Sequence, residues 1–193
     1  MDDGDACTHL GLPVTSPVRT WLDLAPLLDI YDLVAAGDSA LRGGALQHEF
    51  AARVRNAKRL RGVRRARVAV ELLNARSRSR PESRIRSAIV LAGLPEPRVN
   101  EAVRDRFGGW LAEPDLHYRK AKIALEYNGA EHATERRMRK DSTRLLDLQR
   151  EDWAVRTYTA AHAFARLHEV PIEVARLLRQ RAPELLAQVH LKR

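Results

Sequence analysis

Glu113-Pro114-Asp115-Leu116, followed by Ala124-Leu125-Glu126-Tyr127-Asn128-Gly129-Ala130-Glu131-His132, sets acidic side chains into the most strand-like apolar runs of the chain. Residues 110–118 and 122–127 carry alternating or continuous apolar side chains, and Arg119-Lys120-Ala121 lies between them. That pattern predicts a β-hairpin. With the turn centred near Lys120-Ala121, Asp115 and Glu126 fall opposite one another, their Cβ atoms about 5 Å apart. Strand side chains alternate between faces, so Ile123, Leu125 and Tyr127 point one way and Lys122, Ala124 and Glu126 the other. On that pattern Glu126 need not sit in the core.

Two carboxylates this close repel, and a hard cation taking oxygen ligands from both relieves the repulsion. The pair is therefore either a divalent-metal site or two solvated strand carboxylates answered by Lys122 or Arg119. The spacing alone leaves both open.

The 193 residues suffice for one domain with an extension, or for two small domains. A formal charge of +9 favours polyanions, nucleic acid first among them. A lone Cys7 excludes an internal disulfide and a cysteine-based zinc site. No apolar run reaches membrane-spanning length, and Met1-Asp2-Asp3-Gly4-Asp5 is acidic where a secretory signal is basic, so a cytoplasmic protein with no membrane partner is expected.

In chain order, residues 1–16 read as an irregular lead-in punctuated by Gly4, Gly11 and Pro13. Ser16-Pro17 supplies an N-cap and a first-turn proline for a helix through Trp21 and Leu28. Further helices are expected over 30–41, stopped by Gly43-Gly44, and over 45–57 and 63–73. Between residues 53 and 86 a long series of arginines, Arg84 among them, meets only Glu71 and Glu82. Such one-sided charge suits phosphate contacts as well as it suits a solvated face. Arg76-Ser77-Arg78-Ser79-Arg80-Pro81 marks a boundary, giving a helical region over 1–75 and a second domain over 76–193.

Ser79 and Glu82 form a capping box that by itself explains a glutamate at that position. After this helix, 98–105 reads as a strand and Phe107-Gly108-Gly109 as a turn into the central hairpin. A helix is expected over 134–150. Its first turns carry Arg136, Arg137, Arg139 and Lys140, which the helix dipole disfavours and a nearby phosphate backbone would offset. Asp141 and Arg144 on it have the spacing of a surface ion pair. Asp152 suits a left-handed helix end, 153–158 a last strand, and Pro171 and Pro183 two last helices. Trp110 and Trp153 are expected in the core rather than as base-stacking platforms, and His117, His162, His168 and His190 show no metal-ligand spacing and are given no role. The second half is thus α/β, a mixed sheet flanked by helices.

Glu82 in the first helix, Pro114-Asp115 ending the middle strand, Glu126-Tyr127-Asn128-Gly129, His132, Asp141 with Arg144, and Trp153-Ala154-Val155-Arg156 occur in an order that resembles the PD-(D/E)XK nuclease superfamily. The similarity is to its very-short-patch-repair endonuclease-like branch and covers roughly residues 78–178. Residues 13–24 and 33–38 resemble the helical region of abortive-infection antitoxin-like proteins, without the winged helix that usually precedes it. The resemblance implies a restriction-endonuclease-like, four-stranded mixed sheet and a Mg²⁺-dependent endonuclease, with Mn²⁺ as an alternative ion. DNA is the implied substrate and RNA an alternative, in repair or phage defence.

Carried over by position, the resemblance makes Asp115, Glu126 and the Tyr127 carbonyl the metal ligands, with Glu82 acting through water or a second ion. Where the superfamily has lysine this chain has Asn128, which can orient water but cannot serve as a base near neutral pH. His132 is the substitute expected to shuttle the proton, its alternative being an ordinary polar residue before the next helix. That departure keeps alive an alternative, a non-catalytic nucleic-acid-binding or regulatory protein on a nuclease fold. A toxin–antitoxin or defence-system partner is a third reading, and the oligomeric state is left open.

Overall fold

The computed structural model describes residues 4–57, 60–129 and 146–190. The chain forms two compact units, Met1–Arg84 and Ile85–Arg193.

The first unit begins with a hairpin where an irregular lead-in was expected: β1 (Ala6–His9) pairs antiparallel with β2 (Leu12–Thr15). Leu10 and Gly11 take φ of 51° and 79°, the two positive values that a tight two-residue turn needs. A leucine at such a position hid the turn from residue preferences. Helix α1 (Pro17–Leu24) starts as expected, with the Ser16 side chain accepting from the Arg19 N–H. Three more helices follow: α2 (Ile30–Arg42), α3 (Gln47–Asn56) and α4 (Val63–Val70).

Trp21 and Phe50 meet edge to face at 5.1 Å in the middle of this unit, both essentially buried. The Trp21 indole donates to the Leu33 carbonyl at 2.8 Å, so its one polar atom is satisfied. Gly37 allows α2 to come this close, because a Cβ there would stand 2.4 Å from the Leu73 side chain. Asp38, fully buried, accepts from the Ser83 hydroxyl at 2.7 Å and the Asn74 N–H at 2.6 Å. A buried carboxylate is tolerated on such terms.

Helix α5 (Arg80–Leu91) begins in the first unit and turns Ile85, Ala88 and Ile89 inward in the second. The second unit then holds a mixed four-stranded sheet flanked by helices, in the order β3 (Arg98–Val99), β6 (Leu116–Tyr118), β7 (Ile123–Tyr127), β8 (Ala154–Tyr158). β3, β6 and β7 pair antiparallel, whereas β7 and β8 are parallel. β4 (Val103–Arg104) and β5 (Trp110–Ala112) make a separate two-stranded ribbon. The single strands expected over 98–105 and 110–118 are therefore each broken in two.

Residues 146–150 form helix α6, and its end follows the expectation for Asp152, which sits at φ 62°. The Trp153 N–H bonds back to the Leu148 carbonyl and the Asp152 N–H to that of Gln149, the paired bonds of a left-handed helix stop. Leu148 and Trp153 then pack with Val103, Ala112 and Ala124 as one buried cluster on the sheet. After β8 a single π-type turn (Ala161–Ala165) leads to α7 (Glu169–Arg181) and α8 (Pro183–His190). α7 starts two residues before Pro171, within the first turn where proline is tolerated. Trp153 is buried as expected. Trp110 is not: it is 64% exposed, because nothing among the described residues is layered over its end of the ribbon.

Gly62 offers a test of the first unit. It has φ 83°, and a Cβ on it would stand 2.6 Å from backbone atoms of Ala25 and Pro26. Left-handed geometry costs an L-residue about 1–2 kcal/mol before any clash. Gly62→Ala should therefore lower stability by about 2 kcal/mol or more, read as an earlier midpoint in urea; an unchanged midpoint would contradict this packing.

Candidate functional site

The broken strands lead directly to the site. Val99 pairs with Leu116 and Val103 with Ala112, so one register runs on both sides of the break. Between them lie Asn100, at φ 46°, and the segment Glu113-Pro114-Asp115. Proline has no N–H to give a ladder, so pairing cannot run through Pro114 undisturbed. The chain bends there, and Asp115 is set at the start of β6.

Asp115 is held from two sides. Its carbonyl accepts from the Asn100 N–H at 2.9 Å, and its carboxylate Oδ2 accepts from the Tyr127 N–H at 2.7 Å. The second bond is charge-assisted and aims the side chain at the end of β7. β6 and β7 pair Leu116 with Leu125 and His117 with Ala124, so the next step of the same register brings Asp115 opposite Glu126. The Tyr127 N–H faces Asp115 while the Asn128 N–H bonds to the Tyr158 carbonyl on β8. The alternation makes Asp115 and Glu126 a non-hydrogen-bonded pair, whose Cα atoms sit at about 4.5 Å in regular sheets.

Glu126 departs from expectation in its burial. It is only 7% exposed, because its face of β7 is also the face of Ala124, over which Trp153 and Leu148 pack. A glutamate in that position needs compensation by a cation or hydrogen bonds. Tyr127 is half-buried, and Asn128 and Gly129 are exposed just beyond the strand. The ladder position opposite Tyr127 falls to Pro114, which has no hydrogen to donate to the Tyr127 carbonyl. An extended residue turns its N–H and C=O toward the same edge, here the edge where Asp115 stands.

Glu82 accepts from the Ser79 hydroxyl at 2.7 Å and the Arg78 N–H at 2.9 Å, and its own N–H donates to the Ser79 hydroxyl oxygen at 3.4 Å, the N-cap half of a capping box at the start of α5. Arg84 is buried and pairs with Asp32 at 2.8 Å and Asp29 at 3.2 Å, its guanidinium 5.5 Å from the centre of the Tyr31 ring. Its charge is answered within the first unit. His132, Arg136, Arg137, Arg139, Lys140, Asp141 and Arg144 lie outside the described residues.

His117, expected to have no role, shares the face of Asp115 and Glu126 because it is two residues along β6 from the aspartate. It is 2% exposed, packs edge-on to Trp153 at 6.1 Å, and its Nδ1 has no hydrogen-bond partner among the described residues. Burial pushes its pKa from 6.5 down to about 4; Glu101 pulls the other way, and Arg119 and Arg98 add to the lowering. Leu116 and Tyr118 point to the opposite face, so alternation gave no sign that this histidine is covered.

The donor set at the end of β6 and β7 is thus two carboxylates and one main-chain carbonyl, all hard oxygens of the kind that Mg²⁺ or Mn²⁺ accepts. Among the described residues no three His, Cys, Asp or Glu side chains gather into a metal-holding group. The fit rests on this pair and the main chain beside it.

The chain is 29% identical over 147 residues to uncharacterized proteins from two strains of Mycobacterium tuberculosis. The match covers 75% of this chain and 54% of each relative, so the chain spans about half the length of the curated relatives it matches. No family model and no solved structure matches. Among the described residues no helix is long and apolar enough to cross a membrane.

His117 carries a pH consequence. Its folded pKa, about 4, lies below the unfolded value near 6.5, so the folded state binds fewer protons between these values. The stability tied to the neutral ring is complete above pH 6.5 and is lost as pH falls toward 4. Melting temperature should drop across that window in the wild type and drop less in His117→Phe; identical pH profiles would show that the buried imidazole is not the titrating group.

Proposed function

We propose that the second unit is a metal-dependent endonuclease of the PD-(D/E)XK type, with a restriction-endonuclease-like arrangement of its mixed sheet, that hydrolyses phosphodiester bonds in DNA. The observation that carries the reading is the Asp115 carboxylate bonded to the Tyr127 N–H, with Glu126 opposite in register. The order of elements supports it too: α5, the antiparallel strands through β7, α6, and β8 parallel to β7.

Asp115, Glu126 and the Tyr127 carbonyl are the residues that would hold Mg²⁺ or Mn²⁺. When bound, the ion supplies Lewis acidity at a phosphate oxygen and lowers the pKa of a coordinated water. The protein's own part is mostly positioning. The Asn100 and Tyr127 N–H groups fix Asp115, so its carboxylate is aimed before substrate arrives. The exposed Asn128 amide can orient a water but cannot take its proton. In this reading His132 takes the proton, and Arg136, Arg137, Arg139 and Lys140 contact phosphates. Arg84, engaged by Asp29 and Asp32, is left out of that set.

Asn128 at the lysine position is the observation that favours a second reading, a nuclease fold that binds nucleic acid without turning it over. Plasmid nicking at low salt separates the two. The wild type should nick with Mg²⁺ or Mn²⁺ and stop with EDTA, and Asp115→Asn or Glu126→Gln should lose at least about a hundredfold in rate, since each removes charge on which the metal chemistry depends. Nicking unchanged in both variants would overturn the site; salt-sensitive binding without nicking would favour the second reading.

A further inference from the structure

The ribbon of β4 and β5 ends in a turn that exposes two aromatic rings. Phe107 is 85% exposed and Trp110 64% exposed, three residues apart. Large apolar rings in water normally mark a contact surface when they cluster. Here they also sit on a rigid support. The Asp105 carboxylate accepts from the N–H groups of Phe107 and Gly109, each at 2.8 Å. The Asp105 N–H donates to the Gly109 carbonyl at 2.9 Å, and the Gly108 N–H to the Asp105 carbonyl at 3.1 Å. Gly108 has φ 84°, and a Cβ on Gly109 would stand 2.7 Å from the Asp105 side chain. This loop is built to one shape, and Asp105 spends its charge inside it.

Cations flank the rings. The Arg106 guanidinium stands 5.1 Å from the centre of the Phe107 ring, and Arg104 donates to the Gly108 carbonyl at 2.8 Å, which holds it beside the turn. Glu151, itself largely covered, faces the exposed Arg106 at 3.7 Å, a long and partial opposition to its charge. Rings interleaved with arginines suit a polyanion that also offers flat apolar faces. In a duplex those faces are stacked on one another and covered. Unpaired nucleotides present both features together, since a base can lie on a ring while its phosphate meets an arginine.

We infer that the β4–β5 ribbon is a stacking platform for unpaired nucleotides of a nucleic-acid strand. It names the substrate class of the proposed site and rests on that reading in one respect only: Trp110 lies five residues before Asp115 on the same chain, at most about 18 Å away, so one strand of several nucleotides can span both. Binding itself needs no metal.

The test measures fluorescence anisotropy of a labelled single-stranded 20-mer and of the same sequence as duplex, in EDTA, with the full chain. The wild type should bind the single strand more tightly. Phe107→Ala and Trp110→Ala should each weaken that binding about tenfold, while duplex binding changes less than about twofold, since stacking on one ring contributes that much per base. Phe107→Tyr and Trp110→Phe should restore it. Both positions are exposed, and an unchanged circular dichroism spectrum verifies folding. Equal affinity of wild type and alanine variants for the single strand, equal losses on single strand and duplex, or no wild-type preference would each overturn the platform. Cleavage is silent in EDTA and is read separately by plasmid nicking, so failure of the cleavage chemistry and failure of the platform are told apart.

Discussion

The second unit turns on one hydrogen bond, from the Tyr127 N–H to the Asp115 carboxylate. At the position where β6 would offer a ladder partner to Tyr127, the chain has a proline, which can accept but not donate. The Tyr127 N–H turns instead to the carboxylate of Asp115, the residue that follows. A strand end that would otherwise fray is thereby closed by a charged group, and that group is drawn to the end of β7 where Glu126 stands. In the proposed reading, structural need and chemical use fall on the same atoms.

The rest of the unit can be seen as support for that arrangement. β7 is flanked by β6 and β8 and is buried along most of its length, so Glu126 has little freedom. Leu148 and Trp153, brought together by the left-handed turn at Asp152, cover the face that Glu126 shares with Ala124. The break that positions Asp115 also detaches β4 and β5 from the main sheet, which is why Phe107 and Trp110 are out in solvent. One interruption in a pair of strands accounts for both the carboxylate pair and the exposed ribbon.

Much of this was legible in the residues. The position of the turn near Lys120-Ala121 set the register, and the register set Asp115 against Glu126. Ser16-Pro17 and Ser79 with Glu82 announced helix starts through side chains with a known capping role, and Asp152 a helix end through its tolerance of left-handed backbone. What stayed hidden depended on the third dimension. Alternation alone could not show that helix α6 and Trp153 would cover the Glu126 face, nor that His117 would lie beneath the same cover. Arg84 looked like a phosphate contact because Asp29 and Asp32, which neutralise it, are more than fifty residues away in sequence. Trp110 looked like core because the break at Pro114 reads, residue by residue, as one long strand.

The central claim is that Asp115 and Glu126 hold one divalent ion together. Titration with Mn²⁺ followed by electron paramagnetic resonance tests it without any nucleic acid. The wild type should deplete the free-ion signal by one equivalent, and Asp115→Asn, which keeps an acceptor for the Tyr127 N–H, should abolish that depletion, as should Glu126→Gln. Depletion equal in wild type and both variants, or none in the wild type, would contradict the site.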